Sequence, residues 1–113
     1  MSTTLLHVRI TTRTSPGAIL DSATDPARAI AAVPGLIWKV WILDEDASEL
    51  GGVYLFASRA QAQAYVDGPI LEHLRHDPRV VRVEHRLWDT HALSAITRAP
   101  EAVPDAAVAK EVA

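Results

Sequence analysis

Four side chains of this sequence are candidates for proton exchange or for lining an apolar cavity. His85 is the only titratable side chain that alternation places on the apolar face of the last predicted strand, and histidine exchanges protons near neutral pH. Trp38 is predicted on the same face of an earlier strand, where an indole can line a pocket or donate its N–H group. Tyr65 and His73 lie on the two halves of a helix that Gly68-Pro69 interrupts. These four residues are the predicted catalytic candidates.

Each candidate also has a purely structural interpretation. His85 could be a neutral core histidine bonded to a backbone carbonyl, and Trp38 could serve core packing alone. Tyr65 and His73 could be surface residues. The pair His73 and His76 has a spacing that suits two metal ligands on one helical face, but no third ligand is evident and no metal is expected.

The composition of the 113-residue chain excludes several classes of function. No cysteine is present, which excludes thiol nucleophiles and zinc–thiolate sites. A net charge of -3 argues against nucleic-acid binding, and no apolar run approaches the ~20 residues of a membrane span. Gly51-Gly52 is not a dinucleotide-binding loop, so no cofactor is expected. Without a recognisable leader peptide, a cytoplasmic protein is the expectation.

The order of the predicted elements indicates one α+β domain. Strands are predicted at 5–13, 36–43, 53–57 and 80–88, with helices at 27–33, from 59 to the break at 68, and at 70–76. This order is the ferredoxin-like βαββαβ arrangement, a four-stranded antiparallel sheet with helices on one face. The domain is predicted to span residues 1–98, and residues 99–113 form an Ala/Pro-rich tail that is expected to be flexible.

Both faces of the predicted sheet carry large apolar side chains. Alternation assigns one set to the helix-covered face: Leu6, Val8, Ile10, Leu36, Trp38, Val40, Ile42, Val53, Leu55, Val81, Val83, His85 and Leu87. It assigns another set to the opposite face: His7, Arg9, Ile37, Lys39, Trp41, Leu43, Tyr54, Phe56, Arg82, Arg86 and Trp88. Monomers rarely expose such an apolar patch, which predicts a homodimer of two facing sheets, a dimeric α+β barrel. The polar residues of the second set are interpreted chiefly as interface.

Three segments resemble one known family. Pro34 to Trp41 (PGLIWKVW) and Gly51 to Phe56 (GGVYLF) are similar to the signature of the YdhR-type monooxygenases, members of the dimeric α+β barrel superfamily. Leu87 to Ile96 (LWDTHALSAI) is similar to the family's C-terminal strand and its Leu-Ser-x-Ile ending. The resemblance covers roughly residues 5–97.

The resemblance implies a cofactor-independent monooxygenase that acts on a small hydrophobic aromatic or polyketide-like compound. In such chemistry a phenol or enol is deprotonated and its anion reacts with dioxygen, so the protein supplies a base, an oxyanion donor and a dry cavity. A cyclase or isomerase, a non-catalytic ligand-binding accessory protein, and a haem-degrading enzyme remain as alternatives. The site lies either in the cleft between sheet and helices or within the barrel.

Overall fold

The computed structural model describes residues 2–101, and these form one antiparallel sheet with helices packed on it. The elements in chain order are β1 (Thr4–Thr12), α1 (Pro16–Asp21), α2 (Thr24–Ala31), β2 (Leu36–Asp44), β3 (Glu49–Phe56), α3 (Arg59–Val66), α4 (Pro69–Arg75), β4 (Val80–Asp89) and α5 (Leu93–Ile96). The strand order β2-β3-β1-β4 confirms the predicted ferredoxin-like α+β fold. Most of the predicted tail, residues 102–113, lies outside the described residues.

Each of the two predicted helical regions is built from two short helices. Ser58 caps α3, since its Oγ accepts from the Gln61 N–H at 3.2 Å, and Pro69 begins α4 directly after the Gly68 cap. In the first region Ser15 caps α1, and a separate helix α2 follows from Thr24. The break at Gly68-Pro69 is therefore confirmed. No helix within residues 2–101 combines the length and the apolar character needed to cross a membrane.

The hydrophobic core lies between the sheet and helices α2 to α4. The central strand β1 contributes Leu6, Val8 and Ile10, all nearly inaccessible to solvent. Strand β3 adds Tyr54 and Phe56, and the helices cover them with a further set: Ile30, Ala62, Tyr65, Val66 and Leu71. Burying these side chains is the main force that holds the helices on this face.

The predicted facing of β2 and β3 is wrong. Leu36 pairs with Phe56 but Trp38 pairs with Leu55, so Ile37 is an extra residue in β2 and a bulge forms there. The bulge shifts the alternation by one position, which turns Lys39 and Trp41 toward the helices and Trp38 away from them. Strand β3 also faces the opposite way to the prediction. Leu50, Tyr54 and Phe56 face the helices, whereas Val53 and Leu55 do not.

The helix-free face of the sheet, here called the open face, has an apolar end and a charged end. One cross-strand row, Trp38, Leu55, Leu5 and Trp88, runs over all four strands. Two rows further along β1, Arg9 forms ion pairs with Glu84 and with Glu49. Val40 and Trp88 on this face are 54% and 43% exposed. The homodimer expected to cover this face stays a prediction.

Candidate active site

A cavity of about 370 Å³ separates the sheet from the helices on the β2–β3 side of the domain. Its floor is formed by β2 and β3, with Lys39, Trp41 and Tyr54 as the largest side chains. Apolar residues of α1, α2 and α4 form the walls: Ile19, Leu20, Ala29, Ile30, Ile70 and Leu74. A mostly apolar concavity of this size with a few polar groups is typical of a small-molecule site.

Among the described residues Lys39 is the only lysine that lines this cavity, and its amine lies over two aromatic rings. Its Nζ is 3.2 Å from the centroid of the Trp41 ring and 4.5 Å from that of Tyr54. Gly52 makes this arrangement possible, because a Cβ at that position would collide with Cε of Lys39 and lie 3.0 Å from Cε1 of Tyr54. Gly52 of β3 therefore provides the space that the lysine side chain fills.

Burial lowers the pKa of Lys39 to about 7, because the half-buried amine loses much of its hydration. Within residues 2–101 no carboxylate forms an ion pair with its Nζ that would counter this loss. The faces of Trp41 and Tyr54 favour the charged amine, but a cation–π contact contributes only ~0.5–2 kcal/mol and limits the shift without reversing it. The neutral and charged forms of Lys39 therefore both exist near neutral pH.

Two phenol groups meet at the floor of the same cavity. The hydroxyls of Tyr54 and Tyr65 are 2.9 Å apart, and their rings lie 5.1 Å apart between centroids. Burial raises the pKa of both phenols, so both stay protonated over the physiological range. Because one hydroxyl donates to the other, the second O–H proton is left over for another acceptor. The pair can donate a hydrogen bond to a ligand oxygen.

A charged group lies where the cavity meets α4 and the start of β4. Arg79 donates to Asp77 through Nη2 at 2.7 Å and Nε at 3.0 Å. These hydrogen bonds from Arg79 hold the pKa of Asp77 at about 2. His73 lies beside them on the exposed side of α4. This rim is polar, whereas the floor is aromatic.

The structure brings two of the four predicted site residues to the cavity. Tyr65 and His73 line it, whereas Trp38 and His85 do not. The bulge turns Trp38 to the open face, where its Nε1 donates to the Pro100 carbonyl at 3.2 Å. His85 does face the helix side, opposite Val8, but it is exposed on the edge strand β4. It lies three strands from Trp41, which corresponds to about 14 Å.

Lys39, Trp41 and Tyr54 were missed because sequence alternation placed them on the opposite face. The Gly51-Gly52 pair was a usable signal, since two glycines within a strand often mark a close approach of another group.

No group of three His, Asp or Glu side chains suited to a metal exists within residues 2–101. In the predicted His73–His76 pair, the Nδ1 atom of His76 is 2.9 Å from the Glu72 carbonyl oxygen.

Comparison with known families identifies the family to which the chain belongs. Residues 5–100 match the family described as "Putative mono-oxygenase ydhR". The chain belongs to this YdhR family. The resemblance inferred from the Trp-Lys-Val-Trp and Gly-Gly segments is thereby confirmed, and the matched region includes every residue that lines the cavity. No curated protein matched the sequence.

Solved structures share the fold of this YdhR family member at low sequence identity. A protein of unknown function from Nitrosomonas europaea matches with a TM-score of 0.64 and 18% identity, over 79% of this chain and 89% of that one. SnoaB from Streptomyces nogalater, described as a cofactor-independent oxygenase, matches with a TM-score of 0.63 and 15% identity, over 80% and 95% of the two chains. A "Putative Antibiotic Biosynthesis Monooxygenase" from Bacillus cereus matches with a TM-score of 0.55 and 13% identity, over 80% and 94%. At these identities the likeness supports the fold.

Proposed function

We propose that this YdhR family protein is a cofactor-independent monooxygenase that oxidises a hydrophobic aromatic phenol or enol within the cavity between sheet and helices. The observation that carries the proposal is the Lys39 amine, which has no carboxylate partner among residues 2–101 and lies over two aromatic faces beside a pair of phenol donors. The family match, and the description of SnoaB as a cofactor-independent oxygenase, support the reaction type.

Lys39 acts as the general base in this proposal. Its neutral amine takes the proton of the substrate hydroxyl, and the ammonium that results stabilises the phenolate. The electron-rich ring then reduces dioxygen, with one oxygen atom retained in a new carbonyl and the other released as water. For a simple phenol the balance is phenol plus O₂ to quinone plus H₂O, so the substrate supplies all the electrons.

The remaining cavity residues orient the substrate and exclude water. The Tyr54–Tyr65 pair donates its one remaining O–H to the oxygen on which negative charge develops, while Trp41 and Ile30 keep the ring in an apolar environment. His73 lies at the rim and would exchange protons with solvent after each turnover.

We also propose that the open face is covered by a second copy of the chain. The apolar row from Trp38 to Trp88 crosses the whole sheet and is exposed at its Trp88 end on β4, and exposed Val40 lies next to its other end on β2. Facing sheets of two copies would remove this surface from water, and the ion pairs of Arg9 would lie toward the other end. The substrate cavity, on the other side of the sheet, stays within one copy.

Oxygen uptake with a panel of polycyclic phenols, beginning with 1-naphthol, tests the proposed reaction. We expect uptake that is coupled to quinone formation and insensitive to chelators. The value of kcat/KM should rise with pH around a midpoint of about 7, because the neutral form of Lys39 is the active one. Turnover of the same phenols without oxygen would instead favour the cyclase or isomerase alternative, and binding without turnover would favour an accessory role.

Two lysine variants separate the roles of base and cation. Lys39→Met removes both roles, whereas Lys39→Arg retains a positive charge that does not deprotonate. We expect neither variant to keep the pH-dependent rise, with Lys39→Arg retaining the tighter binding of phenols. Full activity in Lys39→Met together with loss in His85→Ala would contradict the assignment, and would place the base on the outer edge of β4, as the sequence alone predicted.

A further inference from the structure

We propose that Lys39 also captures carbonyl compounds covalently, so that the cavity forms an imine with hydrophobic aldehydes or ketones. This second activity uses the cavity of the proposed oxygenase but requires no dioxygen. It applies to aromatic carbonyl compounds, including products that oxygenation would leave beside the amine.

The surroundings of Lys39 meet the steric requirements of imine formation. An attacking amine must reach the carbonyl carbon from an open direction, and the Nζ of Lys39 borders a cavity of about 370 Å³ rather than a packed core. The centroids of the Trp41 and Tyr54 rings are 3.2 Å and 4.5 Å from the amine, so an aromatic aldehyde that reaches it also meets aromatic surface. The absence of an ion-paired carboxylate within residues 2–101 leaves the amine free to lose its proton.

The same cavity contains a donor for the carbonyl oxygen. As the nitrogen lone pair forms the new C–N bond, the π pair of the carbonyl moves to oxygen and requires a proton. The Tyr54–Tyr65 pair has one O–H proton that is not used between the two hydroxyls. One nitrogen proton replaces the proton that the tyrosine pair gave to the oxygen. The other leaves with the carbinolamine hydroxyl as water, and a neutral imine remains. No oxidant or reductant enters the balance.

The sequence offers an internal control for this chemistry. Lys39 and Lys110 are the only lysines among the 113 residues, so the two side chains can be compared within one molecule. An ordinary lysine has a pKa of about 10.4, so at pH 7 only about one amine in 2,500 is neutral. Preferential reaction at Lys39 near neutral pH therefore reports on the cavity.

Borohydride trapping of an aromatic aldehyde tests the proposal. The full-length protein is incubated with 2-naphthaldehyde at pH 7, reduced, and analysed by intact mass and peptide mapping, which also distinguishes the N-terminal amine. We expect one reduced adduct at Lys39 in at least tenfold excess over Lys110, and a smaller excess at pH 10, where ordinary lysines are also neutral. Equal labelling of both lysines at pH 7 would overturn the proposal.

Two variants test the presence and the position of the amine in turn. Lys39→Arg removes the nucleophile and keeps the charge, so trapping should fall to the Lys110 background. Gly52→Ala retains the lysine but places a Cβ where Cε of Lys39 lies, so trapping should fall at least fivefold while Lys110 reacts as before. Circular dichroism of each variant establishes that the fold is kept. Unchanged trapping in a folded Gly52→Ala protein would contradict the geometric argument.

Oxygen uptake separates failure of this inference from failure of the proposed function. Phenol oxidation without aldehyde trapping would leave Lys39 as a base alone and remove the second activity. Trapping without oxygen uptake would remove the oxygenase and leave a carbonyl-binding lysine. A Lys39 that neither traps aldehydes nor supports oxidation would refute both.

Discussion

The two faces of the sheet carry basic side chains in opposite electrostatic settings. On the helix face, Lys39 is half-buried, has no carboxylate partner within residues 2–101, and has a pKa that burial lowers to about 7. On the open face, Arg9 is exposed and lies 3.1 Å from Glu49 and 3.2 Å from Glu84. The hydrogen bonds that Arg9 donates to Glu84, with the attraction between the two charges, raise the pKa of Arg9 and lower that of Glu84. Lys39 is therefore a half-buried base without a counter-charge among the described residues, whereas two carboxylates neutralise Arg9.

This contrast shows why the residue type alone does not predict how reactive a basic side chain is. A paired arginine on an exposed face contributes little to catalysis. Its guanidinium stays protonated, and water screens its attraction to the carboxylate partner. A lysine in an apolar cavity has a pKa close to the working pH, which is the condition that general-base catalysis favours. The helix face is therefore the side on which we expect reactivity, and the open face is the side on which we expect association.

The largest expected effect compares one cation from each face. Lys39→Met should lower kcat/KM for phenol oxidation by about 10²–10⁴-fold, the usual contribution of a positioned general base. Arg9→Met, on the open face, should change it by less than about threefold, since it removes no cavity contact. Steady-state oxygen uptake measures both. Equal losses in the two variants would remove the functional distinction between the faces.

The second test concerns association through the open face. A charge placed in its apolar part, Trp88→Asp or Val40→Asp, should weaken the proposed homodimer by about 10²-fold or more, because an unpaired charge would be buried. Sedimentation over a wide range of protein concentration measures the dissociation. Arg28→Asp on exposed α2 is the matched control and should leave the oligomeric state unchanged. A wild-type chain that remains monomeric at millimolar concentration would contradict the proposed dimer.

The third test concerns the hydroxyl pair on the helix face. Tyr54→Phe or Tyr65→Phe alone leaves a buried hydroxyl without its partner, which costs about 1–3 kcal/mol of unfolding free energy. The double variant should cost less than the sum of the two single variants, because no orphaned hydroxyl remains. Urea denaturation measures all three free energies of unfolding. Strict additivity would show that the 2.9 Å contact is energetically unimportant.

The smallest expected effect is a dependence of stability on pH that originates at Lys39. The folded-state pKa of about 7 lies below the unfolded value of about 10.4, so the unfolded chain binds the extra proton. This lysine therefore destabilises the fold fully below pH 7, and the penalty declines as pH rises from 7 toward 10.4. Lys39→Met should be more stable than wild type at pH 6.5 by about 1 kcal/mol, after allowance for solvent screening.

Urea denaturation of the wild type and Lys39→Met at pH 6.5, 8 and 9.5 measures that difference. The advantage of the variant should shrink steadily across the series. An Arg9→Met variant should show no comparable trend, because the guanidinium that it removes stays charged throughout this pH range. A stability difference between wild type and Lys39→Met that does not vary with pH would mean that the Lys39 amine keeps an ordinary pKa.

Local signals in the sequence were enough to predict the element order and the fold. The helix cap at Ser58, the break at Gly68-Pro69 and the apolar strand from Leu36 depend on residues close together in the chain. The Trp-Lys-Val-Trp segment followed by Gly-Gly was enough to predict the family. Tyr65 and His73 were predicted at the cleft on the same local grounds, and both line it.

The composition of the site depends on contacts that only the tertiary structure determines. The bulge at Ile37 reverses the facing of the residues after it, and a strand that is apolar on both faces carries no alternation that would reveal the reversal. His85 and Trp41 share a face, yet the strand order puts them on opposite edges of the sheet. The lowered pKa of Lys39 is also a tertiary property, because loss of hydration depends on which side chains surround the amine. Sequence thus determined which groups are available, and packing decided which of them line the cavity.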